Sequence, residues 1–98
     1  MVYELAFIPI ASGKGTEFEA AFGQALEEIL PKAQGFIRGQ VCPGVERPDV
    51  YVIMIEWETV EDHTEGFEKS DLYKEFLGLI GRFVAGKPVV EHWRSLTG

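Results

Sequence analysis

Two side chains in the second half of the chain, His63 and Tyr73, have the chemical types and the spacing for proton transfer. Val60, His63 and Phe67 are three and four residues apart, so they share one stripe of a helix. Because that stripe is apolar, His63 is expected to face the interior, as a general base or as a structural histidine bonded to a backbone carbonyl. Tyr73 either donates a hydrogen bond to a ligand carbonyl or phenolate, or lies at the edge of the core. We keep both as candidate catalytic residues.

Four aromatic side chains in the same part of the chain have spacings that allow a flat slot for a planar ligand. They are Trp57, Phe67, Phe76 and Phe83. Aromatic residues at such spacings more often form an ordinary core, and both interpretations stay open. The slot hypothesis makes these four residues candidates for substrate binding.

Arg38 and His92 lie in two predicted strands and complete the set of candidate substrate-binding residues. Arg38 shares a strand face with Phe36 and Gln40. If that face lines a pocket, Arg38 would pair with an enolate or carboxylate. If the face lies between two sheets, Arg38 would pair with an acid of a second chain. For His92 we expect a contact in a dimer or at a sheet edge more than a role in the site.

The acidic side chains between Glu56 and Glu75 do not have the pattern of a metal site. Most of them fall on the solvent side of helices, and no pair of histidines has ligand spacing. The chain has no CxxC or HExxH motif and no glycine-rich phosphate loop. The residues therefore predict neither a metal ion nor an organic cofactor.

Composition limits the number of domains, the partners and the compartment. The chain has 98 residues, 46% of them hydrophobic and 26% charged, and is predicted to form one domain over residues 1–98. A net charge of −7 argues against binding to nucleic acid or to an anionic membrane surface. No apolar run is long enough for a membrane span, and Met1–Ile10 is expected to form a strand instead of a signal peptide. With a single cysteine, Cys42, we expect a cytoplasmic protein.

The elements that must position these residues follow in the order β-α-β-β-α-β. Strands are predicted at Val2–Ile10, Gly35–Cys42, Val50–Trp57 and Val89–Leu96. This order is typical of an α+β, ferredoxin-like βαββαβ fold, in which a four-stranded antiparallel sheet carries helices on one face.

The helices between these strands carry recognisable start signals. The first is predicted to begin with a capping box of Thr16 and Glu19 and to end near Pro31. Thr59 is the predicted N-cap of a short helix after the third strand, and Ser70 is that of the helix that carries Tyr73.

The third strand indicates that a single copy of the chain leaves one apolar face of its sheet uncovered. Alternate residues of Val50–Trp57 are mainly apolar on both faces, yet helices can cover only one side of a four-stranded sheet. An open apolar face of that size is unusual in soluble monomers. We therefore predict a homodimer in which two sheets pack face to face.

Five segments carry a family pattern: Glu56–His63, Gly66–Ser70, Leu72–Phe76, Phe83–Pro88 and Glu91–Trp93. A tryptophan ends the third strand, an inward histidine follows in the next helix, and a Ser-x-x-Tyr sequence starts the helix after it. In these features the chain resembles the antibiotic biosynthesis monooxygenase domain family of dimeric α/β-barrel proteins. The glycines before the first helix and the Gly-Phe entry to the second strand extend the resemblance to essentially the whole chain.

The resemblance implies a dimer whose sheets close into an α/β barrel, with a ligand pocket between each sheet and its own helices. Some members of the family oxidise aromatic polyketides or quinols with molecular oxygen and without metal, haem or flavin. By this analogy His63 would be the base, Tyr73 the donor to the resulting anion, and the aromatic residues the slot for a small aromatic or quinone-like ligand. A polyketide cyclase or isomerase and a non-catalytic ligand-binding dimer are the alternatives.

Haem-degrading members of the family resemble this chain in fold but not at their functional positions. Those enzymes use an asparagine in the first strand, a tryptophan in the helix after the third strand and a haem-ligating histidine in the next helix. The first strand here has no asparagine, and Phe67 and Leu77 occupy the other two positions. We therefore do not expect haem degradation.

Overall fold

The computed structural model describes residues 1–97, which form one sheet with helical segments packed on one side of it. The strands are β1 (Val2–Pro9), β2 (Phe36–Pro43), β3 (Val50–Trp57) and β4 (Val89–Arg94), and the α-helices are α1 (Gly15–Glu28) and α2 (Asp71–Ile80). A π-helical segment (Asp62–Phe67) precedes α2, and 3-10 turns follow the two α-helices at Leu30–Lys32 and Gly81–Phe83. Among the described residues, no helix is long and apolar enough to cross a membrane.

The four strands are antiparallel and lie in the order β2-β3-β1-β4, so β3 and β1 are central. This confirms the predicted α+β fold, although β4 ends at Arg94 instead of Leu96. The register pairs Ala6 with Ile53 and Glu4 with His92. Since paired residues point to the same face, Glu4 and His92 lie side by side on the face that the helices cover.

The core lies between the sheet and the α-helices. Alternate residues of β1 and β3 point into it, and apolar residues of α1 at helical spacing complete it. The largest fully buried side chains are Trp57, Phe18, Phe22, Leu30, Ile53 and Ile55. Phe18 contacts Tyr51 edge-on, and Phe22 contacts Phe76 in the same way. Helix α1 therefore links the central strand β3 to α2.

Helix α1 begins earlier than the predicted capping box, and that prediction is wrong. Lys14 occupies the N-cap position, no side chain caps the helix, and Thr16 lies inside the first turn. Glu19 instead accepts a hydrogen bond from the Tyr51 hydroxyl at 2.5 Å. Tyr51 can approach this closely because residue 15 is glycine, and a Cβ there would lie 2.5 Å from the tyrosine oxygen.

The segment after β3 begins with the predicted N-cap and then widens into a π-helix. The backbone N–H of Asp62 donates to Thr59 Oγ1 at 3.0 Å, which confirms the cap. The N–H of Glu68 donates to the carbonyl of His63 at 2.9 Å, five residues earlier, which is π-helical spacing. Gly35, with a φ of 82°, lets the start of β2 sit against this segment, because a Cβ there would collide with the Asp62 side chain.

Ser70 occupies the N-cap position of α2, as predicted, but its side chain does not cap the helix. Its hydroxyl donates to the carbonyl oxygen of Phe67 at 2.7 Å. This bond ties the end of the π-helical segment to the start of α2. A short connection therefore sets His63 and Tyr73, which lie on these two segments, in a fixed relation.

The side of the sheet opposite the helices, which we call the open face, is largely apolar. It carries Tyr3, Leu5, Phe7, Val52, Met54, Val89 and Trp93. Val89 and Trp93 are 56% and 55% exposed. Glu56 also lies on this face, where Arg38 donates to its Oε1 at 2.9 Å. Its Oε2 is buried without a hydrogen-bond partner among the described residues.

Candidate active site

A cavity of about 100 Å³ lies between the helix-covered side of the sheet and α2. Its walls are mostly apolar and include Ala6, Ile8, Ile53 and Ile55 from the sheet and Phe67, Phe76 and Ile80 from the helical segments. Four polar side chains also line it: Glu4, His63, Glu68 and Tyr73. An apolar cavity with a few converging polar groups is typical of a site for a small molecule.

His63 lines this cavity with both ring nitrogens in contact with other titratable groups, and only 3% of the residue is exposed. Nε2 lies 3.3 Å from Glu4 Oε1 and 3.2 Å from Glu68 Oε2. Nδ1 shares a 2.8 Å hydrogen bond with Nε2 of His92, and the tautomers of the two rings decide which one donates. Residues 1–97 contain no group of three or more His, Cys, Asp or Glu side chains arranged to hold a metal ion.

Glu4 is a candidate functional residue that the sequence patterns above did not single out. The residue is 7% exposed, and Trp57 Nε1 donates to its Oε1 at 2.9 Å. Burial raises the pKa of Glu4 to about 7; the charge of Glu68 adds to the rise, and the hydrogen bond from Trp57 opposes it. A carboxyl group with such a pKa both accepts and releases a proton near neutral pH.

The sequence does carry a signal for Glu4. Ala6 and Ile8, two and four residues further along β1, belong to the core, so Glu4 is an acid at a core-facing position of a strand. A buried ionisable group is costly unless it is paired, which makes such a position a marker of function. Its partners come from distant segments, however, and only the fold brings them together.

The pKa of His63 moves in the opposite sense to that of Glu4. Burial lowers the pKa of His63 to about 4, and the neighbouring His92 adds to the shift. At neutral pH the imidazole is therefore uncharged, with one nitrogen that donates and one that accepts. Glu4 close to its midpoint beside a neutral imidazole is an arrangement that can pass a proton.

Tyr73 lines the same cavity from the first turn of α2. Its ring contacts Phe67 edge-on at 5.4 Å and Phe76 at 6.3 Å between centroids. Burial raises the pKa of Tyr73, and the charges of Glu68 and Glu4 raise it further. The hydroxyl therefore keeps its proton at neutral pH and is a hydrogen-bond donor on a residue that lines the same cavity as Glu4 and His63.

The predicted aromatic slot is only partly assembled. Phe67 and Phe76 line the cavity, whereas Trp57 and Phe83 lie in the core outside it. Trp57 is fully buried and stacks on the ring of His63, with 5.3 Å between centroids and an angle of 16°. Trp57 therefore does not line the cavity. It stabilises the positions of His63 and Glu4 through its stacking on the first and its hydrogen bond to the second.

Arg38 and His92 are on opposite faces of the sheet, and neither lines the cavity. Arg38 is on the open face and pairs with Glu56 of its own chain. His92 is on the helix-covered face and bonds to His63. His92 lies on the edge strand β4, as expected, and strand register places its ring beside Glu4, behind the cavity wall; a contact of His92 in a dimer stays a prediction.

Comparison with known proteins agrees with this architecture. The family model of the antibiotic biosynthesis monooxygenases matches residues 1–78. The uncharacterized protein YczJ of Bacillus subtilis is 41% identical over 96 residues, which is 98% of this chain and 100% of YczJ.

Solved structures share the fold along the whole chain. A protein from Bordetella bronchiseptica assigned to the antibiotic biosynthesis monooxygenases has a TM-score of 0.93 at 29% identity, covering 97% of this chain and 96% of its own. A variant of SnoaB, a cofactor-independent oxygenase from Streptomyces nogalater, has a TM-score of 0.76 at 11% identity, covering 99% of this chain and 94% of its own. The second likeness concerns the fold alone. Because the family model matches residues 1–78, the chain belongs to the antibiotic biosynthesis monooxygenase family.

Proposed function

We propose that the protein is a cofactor-independent monooxygenase that acts on a small aromatic, quinol or polyketide-type substrate. The observation that carries this proposal is the buried Glu4–His63 pair on the wall of an apolar cavity that Tyr73 also lines. SnoaB, a cofactor-independent oxygenase of the same fold, supports the reaction class. A phenol, hydroquinone or acidic C–H supplies the electrons for oxygen once it has lost a proton. The protein must then provide a base, a dry site and a donor for the anion.

We assign the first proton transfer, from the substrate, to Glu4, and His63 is the group that accepts the proton from Glu4 next. The family resemblance implied His63 as the base, but an imidazole whose pKa has fallen to about 4 is a weak proton acceptor at neutral pH. The pKa of Glu4, about 7, is better suited to accepting a proton from the substrate at neutral pH. In this step the Glu4 carboxylate takes the proton of the phenol or C–H, and the electron pair stays on the substrate.

The anion then reacts with molecular oxygen while the Tyr73 hydroxyl donates a hydrogen bond to it. For a methylene carbon beside a phenolic ring, the complete reaction converts CH₂ to a carbonyl and releases one water. The substrate thus supplies every electron that oxygen takes up. Phe67 and Phe76 form the apolar wall that excludes water from the reactive anion.

Oxygen uptake with a panel of anthrones and hydroquinones tests this function. Consumption of oxygen together with formation of a carbonyl product is the expected result. A rearranged or cyclised product without oxygen consumption would assign the protein to the cyclases or isomerases, which need the same base. Binding without any product would leave the non-catalytic ligand-binding dimer. Added haem is expected to give no shift of its Soret band.

Tyr73→Phe is expected to lower kcat/KM by about 10- to 100-fold, the value of one hydrogen bond to a charged group. The ring contacts with Phe67 and Phe76 do not involve the hydroxyl, so the melting temperature should stay close to that of the unmodified protein. Oxygen uptake at several substrate concentrations measures the effect. Full activity of this variant would remove Tyr73 from the mechanism.

We also infer that the working unit is a homodimer that buries the open face of the sheet. The apolar side chains of that face, with Trp93 55% exposed, support this inference because large apolar patches on soluble proteins mark interfaces. Two-fold symmetry would let each chain cover the open face of the other.

Met54→Asp is expected to raise the dimer dissociation constant by about 100-fold or more, because it places a charge in the centre of the apolar face. Met54 pairs with Leu5 and Gln40 on the two strands beside β3. Sedimentation velocity measures the mass, with Ala20→Asp on the exposed side of α1 as the matched control. A wild-type protein that sediments as a monomer at high concentration would refute the dimer.

A further inference from the structure

His92 connects the buried pair to the surface of the protein. Its Nε2 lies 2.8 Å from His63 Nδ1, on the opposite side of the imidazole from Glu4. The residue is half-buried on the edge strand β4, and it lines a surface depression with Val2, Val60 and Arg94. One side of the His63 ring therefore meets the cavity, and the other meets a group that reaches solvent.

We propose that Glu4, His63 and His92 form a proton path, with His92 as its solvent-side end. This proposal rests on the proposed function, because it supplies a route for the proton that Glu4 takes from the substrate. His92 is a relay residue and not a catalytic residue, since it acts on the reaction only through His63.

The transfer along this path balances without charging the buried ring. The protonated Glu4 gives its proton to His63 Nε2, while the proton on His63 Nδ1 moves to His92 Nε2. His63 remains neutral in its other tautomer, and the positive charge appears on the half-exposed His92, which passes a proton to water. Placing the charge there avoids the cost of a buried imidazolium.

Glu68 is the competing exit, because its Oε2 lies 3.2 Å from the same Nε2 of His63 and its side chain is 37% exposed. In a transfer from Glu4 to Glu68, however, Nε2 of His63 would first accept the proton and then release it. Between these two steps the ring would carry an extra proton as a buried cation. His92 is on the other nitrogen and needs no such intermediate. The geometry therefore favours His92 over Glu68.

The path also explains how the anion survives long enough to meet oxygen. A proton left on Glu4 would sit beside the anion and return to it. Once His92 has passed its proton to water, no proton remains beside the anion. The reverse transfer brings one proton from water through His92 and His63 to Glu4, which gives it to the oxygen atom that leaves as water, and the original tautomer of His63 is restored.

The kinetic test compares His92→Gln with the wild type in the oxygen-uptake assay. The glutamine amide can still bond to His63 Nδ1 but cannot pass a proton on, so kcat should fall at least about tenfold with KM unchanged. His92→Ala should fall similarly and recover with added imidazole, which can enter the space left by the ring. A wild-type kcat for His92→Gln, or a larger loss for Glu68→Gln than for His92→Gln, would overturn the path.

A second test needs no turnover and separates this proposal from the proposed function. Nuclear magnetic resonance of protein with ¹⁵N-labelled histidine measures how fast the ring N–H of His63 exchanges with water. The path predicts exchange at least about tenfold slower in His92→Gln than in the wild type, as in the kinetic test. The indole N–H of Trp57, which bonds to Glu4, serves as control and should exchange equally in both. Equal His63 exchange rates would reject the path even if the protein proves to be an oxygenase.

Discussion

Glu4→Gln is expected to lower kcat/KM for oxygen uptake by about 10² to 10⁴-fold, the usual contribution of a positioned general base. The amide keeps the shape of the side chain and can still accept the hydrogen bond from Trp57, but it cannot take a proton from the substrate. The wild-type rate should also rise with pH through about 7, because the pKa of Glu4 is about 7 and only the carboxylate is active. Glu4→Gln should lose this rise.

Glu75→Gln is the matched control for that experiment, since Glu75 lies on the exposed side of α2 and its substitution removes the same charge. It should retain wild-type kinetics. If Glu4→Gln keeps the wild-type kcat/KM while folding normally, Glu4 is not the base. The assignment would then return to His63, and His63→Ala would decide it.

Glu4→Gln is also expected to change how stability depends on pH. Folding raises the pKa of Glu4 from 4.5 to about 7, so the folded state holds this proton more tightly than the unfolded state does. The carboxyl therefore costs stability as the pH rises from about 4.5 to 7, in total about 3 kcal/mol. The variant should be more stable than the wild type by about that amount at pH 8, and the difference should vanish near pH 4.5.

His63 changes the free energy of unfolding with pH in the opposite direction, which makes the wild type and Glu4→Gln easier to tell apart. Folding lowers the pKa of His63 from 6.5 to about 4, so the folded state loses stability as the pH falls through that range. In the wild type the two groups largely offset each other, whereas in Glu4→Gln only the histidine effect remains. Glu68, Tyr73 and His92 also face the pair, but they are present in both proteins.

Urea unfolding between pH 4.5 and 8, at one fixed protein concentration, measures this difference. Subtracting the wild-type free energy of unfolding at each pH removes the contributions of all the other acids. A difference that stays constant over this range would show that the pKa of Glu4 is not raised by folding. Such a result would also weaken the case for Glu4 as the base.

The fold could be predicted because its signals are local. Alternating apolar residues predicted β3, the helical pattern that ends near Pro31 predicted α1, and Thr59 and Ser70 predicted the starts of the two later helical segments. Each signal depends on a few neighbouring residues, and the order of the elements then restricts the topology. The capping box at Thr16 failed for a tertiary reason, since Glu19 bonds to Tyr51 on a strand far along the chain.

The site could be predicted only in part because its chemistry depends on register. The helical spacing of Val60, His63 and Phe67 predicted that His63 faces the interior. The same spacing contains no information on strand register, so it could not predict that Glu4 and His92 are neighbours across β1 and β4. The two pKa shifts also need burial from several elements at once. An acid at a core-facing strand position is the one local signal that would have pointed to Glu4.

The π-helical segment from Asp62 to Phe67 has a consequence for how such a protein can evolve. A turn closed by an i+5 bond holds one residue more than a regular α-helical turn, and this turn begins at His63. Loss of one codon between Thr59 and His63 would let a regular α-helical turn close in its place and would shift His63 by one position, about 100° around the helix axis, relative to the cap at Thr59. The anchors at Thr59 and Ser70 lie outside the segment and would remain. One insertion or deletion could therefore separate lineages that keep this sheet and differ in whether they have a histidine at the cavity.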